Sequence, residues 1–155
     1  MVKSIEEYIE DLKDADEFVR EEAIGALEMR AEESFDYLVE ALNNRNKDIR
    51  KYSAQVLGYI GDEKAIQPLI NTLKDGNKLV RREASTALTR IGEKAVDPLI
   101  SILKDDDWKV RGAAAWALGS MKNNKAINFL EPLLEDPSGF VRAGAKNALN
   151  NIKGE

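Results

Sequence analysis

The 155-residue chain has no cysteine and no histidine. That excludes disulfides, thiol nucleophiles, Cys/His zinc sites and imidazole acid–base chemistry. Only carboxylates remain as metal ligands, and no EF-hand-like loop occurs among them, so no metal or cofactor is expected. The lack of cysteine fits a reducing compartment, and a cytoplasmic location is expected. No apolar run approaches the roughly 18 residues that a membrane-spanning helix needs. The N-terminal MVKSIEEYIE is acidic and has no apolar core, which argues against a secretory signal. Aromatics make up only 6% of the chain and proline occurs four times. With alanine and leucine recurring at helical spacing and charged residues at 33%, this composition reads as all-helical and soluble.

The net charge of −5 conceals a division along the chain. Residues 1–45 hold 5 Lys/Arg against 14 Asp/Glu, whereas residues 46–155 hold 18 against 14. A uniformly basic nucleic-acid footprint is therefore missing, although the middle of the chain has a local one.

What is present is a repeat. The pairs Val19-Arg20, Ile49-Arg50, Val80-Arg81, Val110-Arg111 and Val141-Arg142 recur at steps of 30, 31, 30 and 31. Leu12, Leu42, Leu73, Leu103 and Leu134 recur at the same steps, a second column in the same register. Each unit contains two helices. The first is typified by Ile66, Leu69, Ile70 and Leu73 on one apolar face, the second by Val80, Ala84, Ala87, Leu88 and Ile91. Alanine at two of the latter positions lets neighbouring helices approach closely.

Asp16, Asn46, Asn77, Asp107 and Ser138, each three residues before the Val/Ile, are favoured N-caps. Ser4 and Glu7 form a capping-box pair. Gly61 and Gly92 stand where a left-handed C-terminal residue is expected. Pro68 and Pro98, about a turn inside the first helices, imply either a kink or a later helix start. The units span approximately 4–31, 32–61, 62–92, 93–122 and 123–155, with no linker between them. The chain begins and ends on unit boundaries, as a complete repeat array would. One helix pair is too short to bury its apolar face, so the units must stack into one domain. The expected fold is an all-α, right-handed α-solenoid of five units and about ten helices.

The segments DEKAIQPLINTLKD (Asp62–Asp75) and VRREASTALTRIG (Val80–Gly92) resemble HEAT-like repeats of the phycobilisome-lyase type. The likeness covers nearly the whole chain. Unit one departs from the pattern by lacking the proline and by carrying Arg30 where an Ile is usual. The resemblance implies a ladder between units in which an Asp ending the first helix pairs with the Arg of the second. Asp14, Asp75, Asp105 and Asp136 lie six residues before Arg20, Arg81, Arg111 and Arg142. Asn44 stands before Arg50, so that rung is expected to have lost its charge. Recurrence once per unit marks a structural ladder rather than an active site or phosphate clamp.

In such solenoids the second helices line the concave surface, and their outward positions form a profile along the chain. Unit one offers Glu17, Glu21 and Glu22, and serves as a polar cap. Units two and three offer a basic stripe, Lys47, Lys51, Lys78 and Arg82, with Tyr52 and Tyr59 interleaved. Unit four offers Trp108, Gly112, Ala113 and Trp116. The first, second and fourth of these form one i, i+4, i+8 stripe with a glycine between the rings. Ala143 and Gly144 extend a floor of small residues. Two readings of the stripe stay open. It is a ligand site, or it is satellite core in which Trp108 covers its helix start and Trp116 packs on a neighbouring helix. The lysines likewise read as a binding stripe or as a solvated face.

The expected function is a non-catalytic module that binds a protein or peptide segment on the concave face. A bilin lyase-like, chromophore-handling role is the alternative implied by the resemblance. Nucleic-acid binding through the Lys/Arg/Tyr stripe is disfavoured by the acidic total charge. No membrane partner is expected, and a monomer is.

Overall fold

A computed structural model describes residues 2–155, and among them it contains ten α-helices, five short 3-10 segments and no strand. The first helices of the five units are α1 (Ile5–Asp11), α3 (Ala31–Ala41), α5 (Ile66–Thr72), α7 (Val96–Ser101) and α9 (Ile127–Leu130). The second helices are α2 (Glu17–Met29), α4 (Lys47–Ile60), α6 (Lys78–Ile91), α8 (Trp108–Met121) and α10 (Gly139–Lys153). One buried core runs through all five units, from Ile5 to Leu149.

Local signals place the helix ends. Asp16, Asn46, Asn77, Asp107 and Ser138 each accept a hydrogen bond from a backbone N–H of the first turn they precede. Ser4 and Glu7 cap α1 reciprocally. Gly61 is left-handed, with φ 74° and ψ 14°. Gly92 has φ 89° and ψ −141°, a region in which only glycine is unstrained. The prolines mark a later start and not a kink. Glu63–Ala65 and Glu93–Ala95 form 3-10 turns, so Pro68 and Pro98 fall at the third residue of α5 and α7. There the missing N–H would have had no intrahelical acceptor.

The even-numbered helices pack on one another, whereas α3, α5, α7 and α9 barely touch. An open groove of about 410 Å³, lined by Val39, Gln67, Pro68 and Asn71 among others, remains between α3 and α5. The stack therefore bends toward the even helices, which form its concave side. Their packing is not uniform. A Cβ built on Gly58 of α4 would lie 2.8 Å from the Ala87 Cα of α6, and one on Gly119 of α8 only 2.6 Å from the Ala148 Cα of α10. At the equivalent positions α2 and α6 carry Glu28 and Thr89, which bar so close an approach. Units two with three and four with five thus form two tight pairs.

The Arg/Asp ladder obeys the same alternation, and here the sequence expectation needs correction. Within a unit each Arg Nη1 donates to a backbone carbonyl six residues earlier and not to the side chain there. The bonds are Arg20 to Asp14 (2.8 Å), Arg50 to Asn44 (2.9 Å), Arg81 to Asp75 (2.8 Å), Arg111 to Asp105 (2.9 Å) and Arg142 to Asp136 (2.7 Å). The side chain at that position instead accepts from the N–H two residues on, which Asn44 does as well as an aspartate. The carboxylate partner comes from the following unit. Arg50 Nε reaches Asp75 at 2.8 Å, and Arg111 Nε reaches Asp136 at 2.9 Å. Asn44 therefore removes the charged rung of Arg20, while Arg50 keeps its own. Arg81 meets no carboxylate within 4.0 Å among the described residues, and Asp105 stands 4.0 Å from Lys74 instead.

Two frame positions depart from their columns. Leu134 is exposed, whereas Leu12, Leu42, Leu73 and Leu103 are buried. Ser53 occupies the place held by Ala23, Ala84, Ala114 and Ala145. Its hydroxyl is fully buried with no hydrogen-bond partner. Ser53→Ala is expected to raise unfolding stability by about 1 kcal/mol, since it removes an unsatisfied polar group without changing the packing. A urea titration of both proteins checks this, and a lower midpoint for the variant would refute it.

Candidate binding face

The concave side presents three chemically distinct zones along one rigid surface. At its C-terminal end lies an aromatic platform. Trp108 and Trp116 project from α8, 44% and 37% exposed, and Phe140 joins them from α10 at 45%. Trp108 and Phe140 meet edge to face, with centroids 5.6 Å apart and planes at 78°, the arrangement that ring quadrupoles favour.

The glycine between the tryptophans leaves no open slot for a ligand. Gly112 and Ala113 are buried, Ala113 to 8% exposure, so neither offers a contact surface. The Phe140 ring fills the space above Gly112, where an added Cβ would stand 2.1 Å from Cε2. The Trp116 indole lies over Gly144, whose added Cβ would stand 3.0 Å from Nε1. Each tryptophan therefore touches α10 on one side and remains partly in solvent. The rings cover the seam between α8 and α10, and they remain accessible. Phe140 was missed because it precedes the Val/Arg frame by one residue. A signal existed, since that position is apolar in units one, three and five (Phe18, Leu79, Phe140) and polar in units two and four (Asp48, Lys109).

The middle zone, on α4 and α6, is basic. Lys47, Lys78, Arg82 and Arg90 are exposed and Lys51 is half-buried. None of the five lies within ion-pair distance of a carboxylate among the described residues. Tyr52 and Tyr59 organise them. Lys51 Nζ stands 4.5 Å from the Tyr52 ring centroid and the Arg90 guanidinium 4.6 Å from that of Tyr59. Gln55 Nε2 donates to the Tyr59 hydroxyl at 2.9 Å. Two acids sit within this zone: Asp48, at the α4 position that corresponds to Phe140, and Glu83, half-buried and with one oxygen enclosed and unpaired. Burial pushes the Glu83 pKa above the usual carboxylate range, and the positive charges of Arg90, Lys51 and Arg82 oppose that shift.

The N-terminal zone, on α2, is acidic. Glu17, Glu21 and Glu22 are exposed, with Phe18 and Met29 also in solvent. Across the three zones no His/Cys/Asp/Glu cluster among the described residues is arranged to hold a metal. No helix of the described residues is long and apolar enough to cross a membrane.

The same fold occurs in proteins of known structure. The complex of CpcE and CpcF of phycocyanin lyase from Nostoc sp. PCC7120 is similar over 100% of this chain and 67% of that chain, at 25% identity and a TM-score of 0.60. YibA of Escherichia coli is similar over 99% of this chain and 60% of that one, at 23% identity and a TM-score of 0.60, which speaks to the fold alone. No curated protein sequence matches the chain. The family model for HEAT repeats matches residues 5–78 and 66–150, nearly the whole array of helix pairs just described. This protein belongs to the HEAT repeat family.

Proposed function

We propose that this chain is a non-catalytic binding module that holds a segment of another protein along its concave face, with Trp116 as the main anchor. The observation that carries this reading is the platform of Trp108, Phe140 and Trp116 beside the unpaired cations of α4 and α6. Large aromatic side chains left partly in solvent on a rigid scaffold are the residues that most often dominate binding energy. The absence of histidine and cysteine from the sequence leaves little for catalysis to work with.

The likeness to the CpcE–CpcF complex supports two readings of unequal weight. That structure is an assembly of two proteins, in line with a partner-binding role here. It is also a lyase, which keeps chromophore handling as the second reading. Incubation with free bilin separates them: the binding-module reading expects no stable visible absorbance on the purified chain.

The direct test is affinity capture from the source lysate with the wild type and Trp116→Ala in parallel, followed by titration of the captured protein. Trp116→Ala is expected to weaken that binding by more than about 2 kcal/mol, or roughly 30-fold. Circular dichroism should show the helical content unchanged. An affinity equal to that of the wild type would remove Trp116 as the anchor.

A further inference from the structure

Given a protein segment on the concave face, the order of charges along that face says what kind of segment it is. We infer that the bound segment is acidic where it crosses α4 and α6 and carries an apolar side chain where it reaches α8 and α10. This rests on the binding-module reading and adds the chemistry and the direction of the partner.

Four cations carry the argument: Lys47 and Lys51 on α4, Lys78 and Arg82 on α6. They occupy the same two positions of successive repeats. Along each helix the two are four residues apart, about 6 Å of rise. Across the seam, the contact of Gly58 with Ala87 draws the helices to the short end of the usual spacing, roughly 8 Å. The four side chains thus spring from the corners of a patch about 6 Å by 8 Å. Carboxylates two or three residues apart on an extended segment span about 7–10 Å, so two of them bridge the seam.

No ion pair among the described residues engages the patch. On the odd-helix side Lys94 and Lys125 meet Glu63 at 3.2 Å and Asp97 at 2.6 Å. The four patch cations meet no carboxylate among the described residues, and clustering them raises the self-repulsion of the free protein. Asp48 and Glu83 stand beside them along α4 and α6, Glu83 half-buried with an enclosed oxygen, so two acids against four cations leave an incoming anion a surface of net positive sign.

The flanking zones set register. On α2, Glu17, Glu21 and Glu22 repel an acidic segment that slides toward the N-terminus. On α8 and α10 the surface is uncharged and aromatic, where an apolar side chain can cover the exposed parts of Trp116 and Phe140. A polynucleotide fits less well. Its charge is uniform along its length, whereas the cationic patch covers two of five repeats and is bounded by carboxylates on one side.

The probes are four: an acidic peptide of about 15 residues with a leucine after its Asp/Glu run, the same peptide with lysines for its acids, the same with serine for leucine, and a single-stranded oligonucleotide of matching charge. Trp108 and Trp116 are the only two tryptophans, so their emission reports occupancy directly. The acidic leucine peptide is expected to bind and to shift the emission, with affinity falling as salt rises. Lys78→Glu with Arg82→Glu, both at exposed positions, should weaken it roughly tenfold or more with the melting temperature unchanged. The serine peptide should bind more weakly and be indifferent to Trp116→Ala.

Tighter binding of the lysine peptide or of the oligonucleotide overturns the inference, as does no detectable binding of the acidic leucine peptide. A captured partner lost with Trp116→Ala but indifferent to Lys78→Glu/Arg82→Glu would leave the binding face standing and remove the acidic segment. A partner indifferent to both would remove both readings.

Discussion

Gly119→Ala is expected to lower the unfolding free energy by about 3 kcal/mol, at the upper end for overpacking. The reason is the kind of neighbour the new methyl would meet. It would stand 2.6 Å from the Ala148 Cα and 2.7 Å from its Cβ, a backbone atom and the methyl fixed to it, which no rotamer change can move aside. To relieve the clash, α8 and α10 must part. That strains the other contacts of the seam, Trp116 over Gly144, Phe140 over Gly112 and Arg111 with Asp136. Gly58→Ala should behave alike, since its Cβ would lie 2.8 Å from the Ala87 Cα. Gly25 is the control: it is helical, nothing lies within 4 Å of an added Cβ, and Gly25→Ala should stabilise by about 0.5–1 kcal/mol. Urea unfolding of the three variants measures this directly. Equal stability of Gly119→Ala and the wild type would show that the seam is not tight.

The second large effect lies on the same seam. Asp136 is 8% exposed and accepts from Arg111 Nε at 2.9 Å and Nη2 at 3.0 Å, while its Oδ1 also accepts the Ser138 N–H at 2.9 Å. Asp136→Ala removes a bidentate partner from a guanidinium that is itself largely buried. The expected loss is about 3 kcal/mol, because the remaining charge keeps its desolvation cost and only carbonyl partners. Asp105→Ala should cost distinctly less, since no arginine pairs with that carboxylate. The two losses compared test the alternation.

This pair also sets an acid limb. Hydrogen bonds from Arg111 hold the Asp136 pKa below the ordinary value of 3.8, against the opposing effect of burial. The folded state therefore binds this proton less readily than the unfolded state does. The stabilisation is full above the unfolded pKa and is lost as pH falls through the lower folded value. Asp136→Asn should flatten the fall of stability below about pH 4. Melting curves at successive pH values read this out, and parallel acid limbs for variant and wild type would refute it.

Much of the molecule was legible in the sequence. The five units, the second helices, the N-caps and the all-helical class follow from periodicity and from side chains that bond their own neighbouring backbone. Such features are decided within a few residues of themselves. The aromatic and basic composition of the even-helix face was legible for the same reason, because helical geometry assigns each position a side. The tertiary structure was needed wherever a residue's fate depends on another helix. It assigns Asp75 and Asp136 to arginines of the preceding unit and fills the space above Gly112 with Phe140. It also buries Ala113.

The sequence alone determined a repeat of about 30 residues, because hydrogen bonding and apolar spacing are the same in every unit. Only the tertiary structure shows that the packing period is twice as long. Helix separation is set by the pair of residues that meet across a seam, and Gly58 with Ala87 and Gly119 with Ala148 occur at alternate seams. At those seams Arg50 reaches Asp75 and Arg111 reaches Asp136, and the second seam brings Trp108, Phe140 and Trp116 together on one platform.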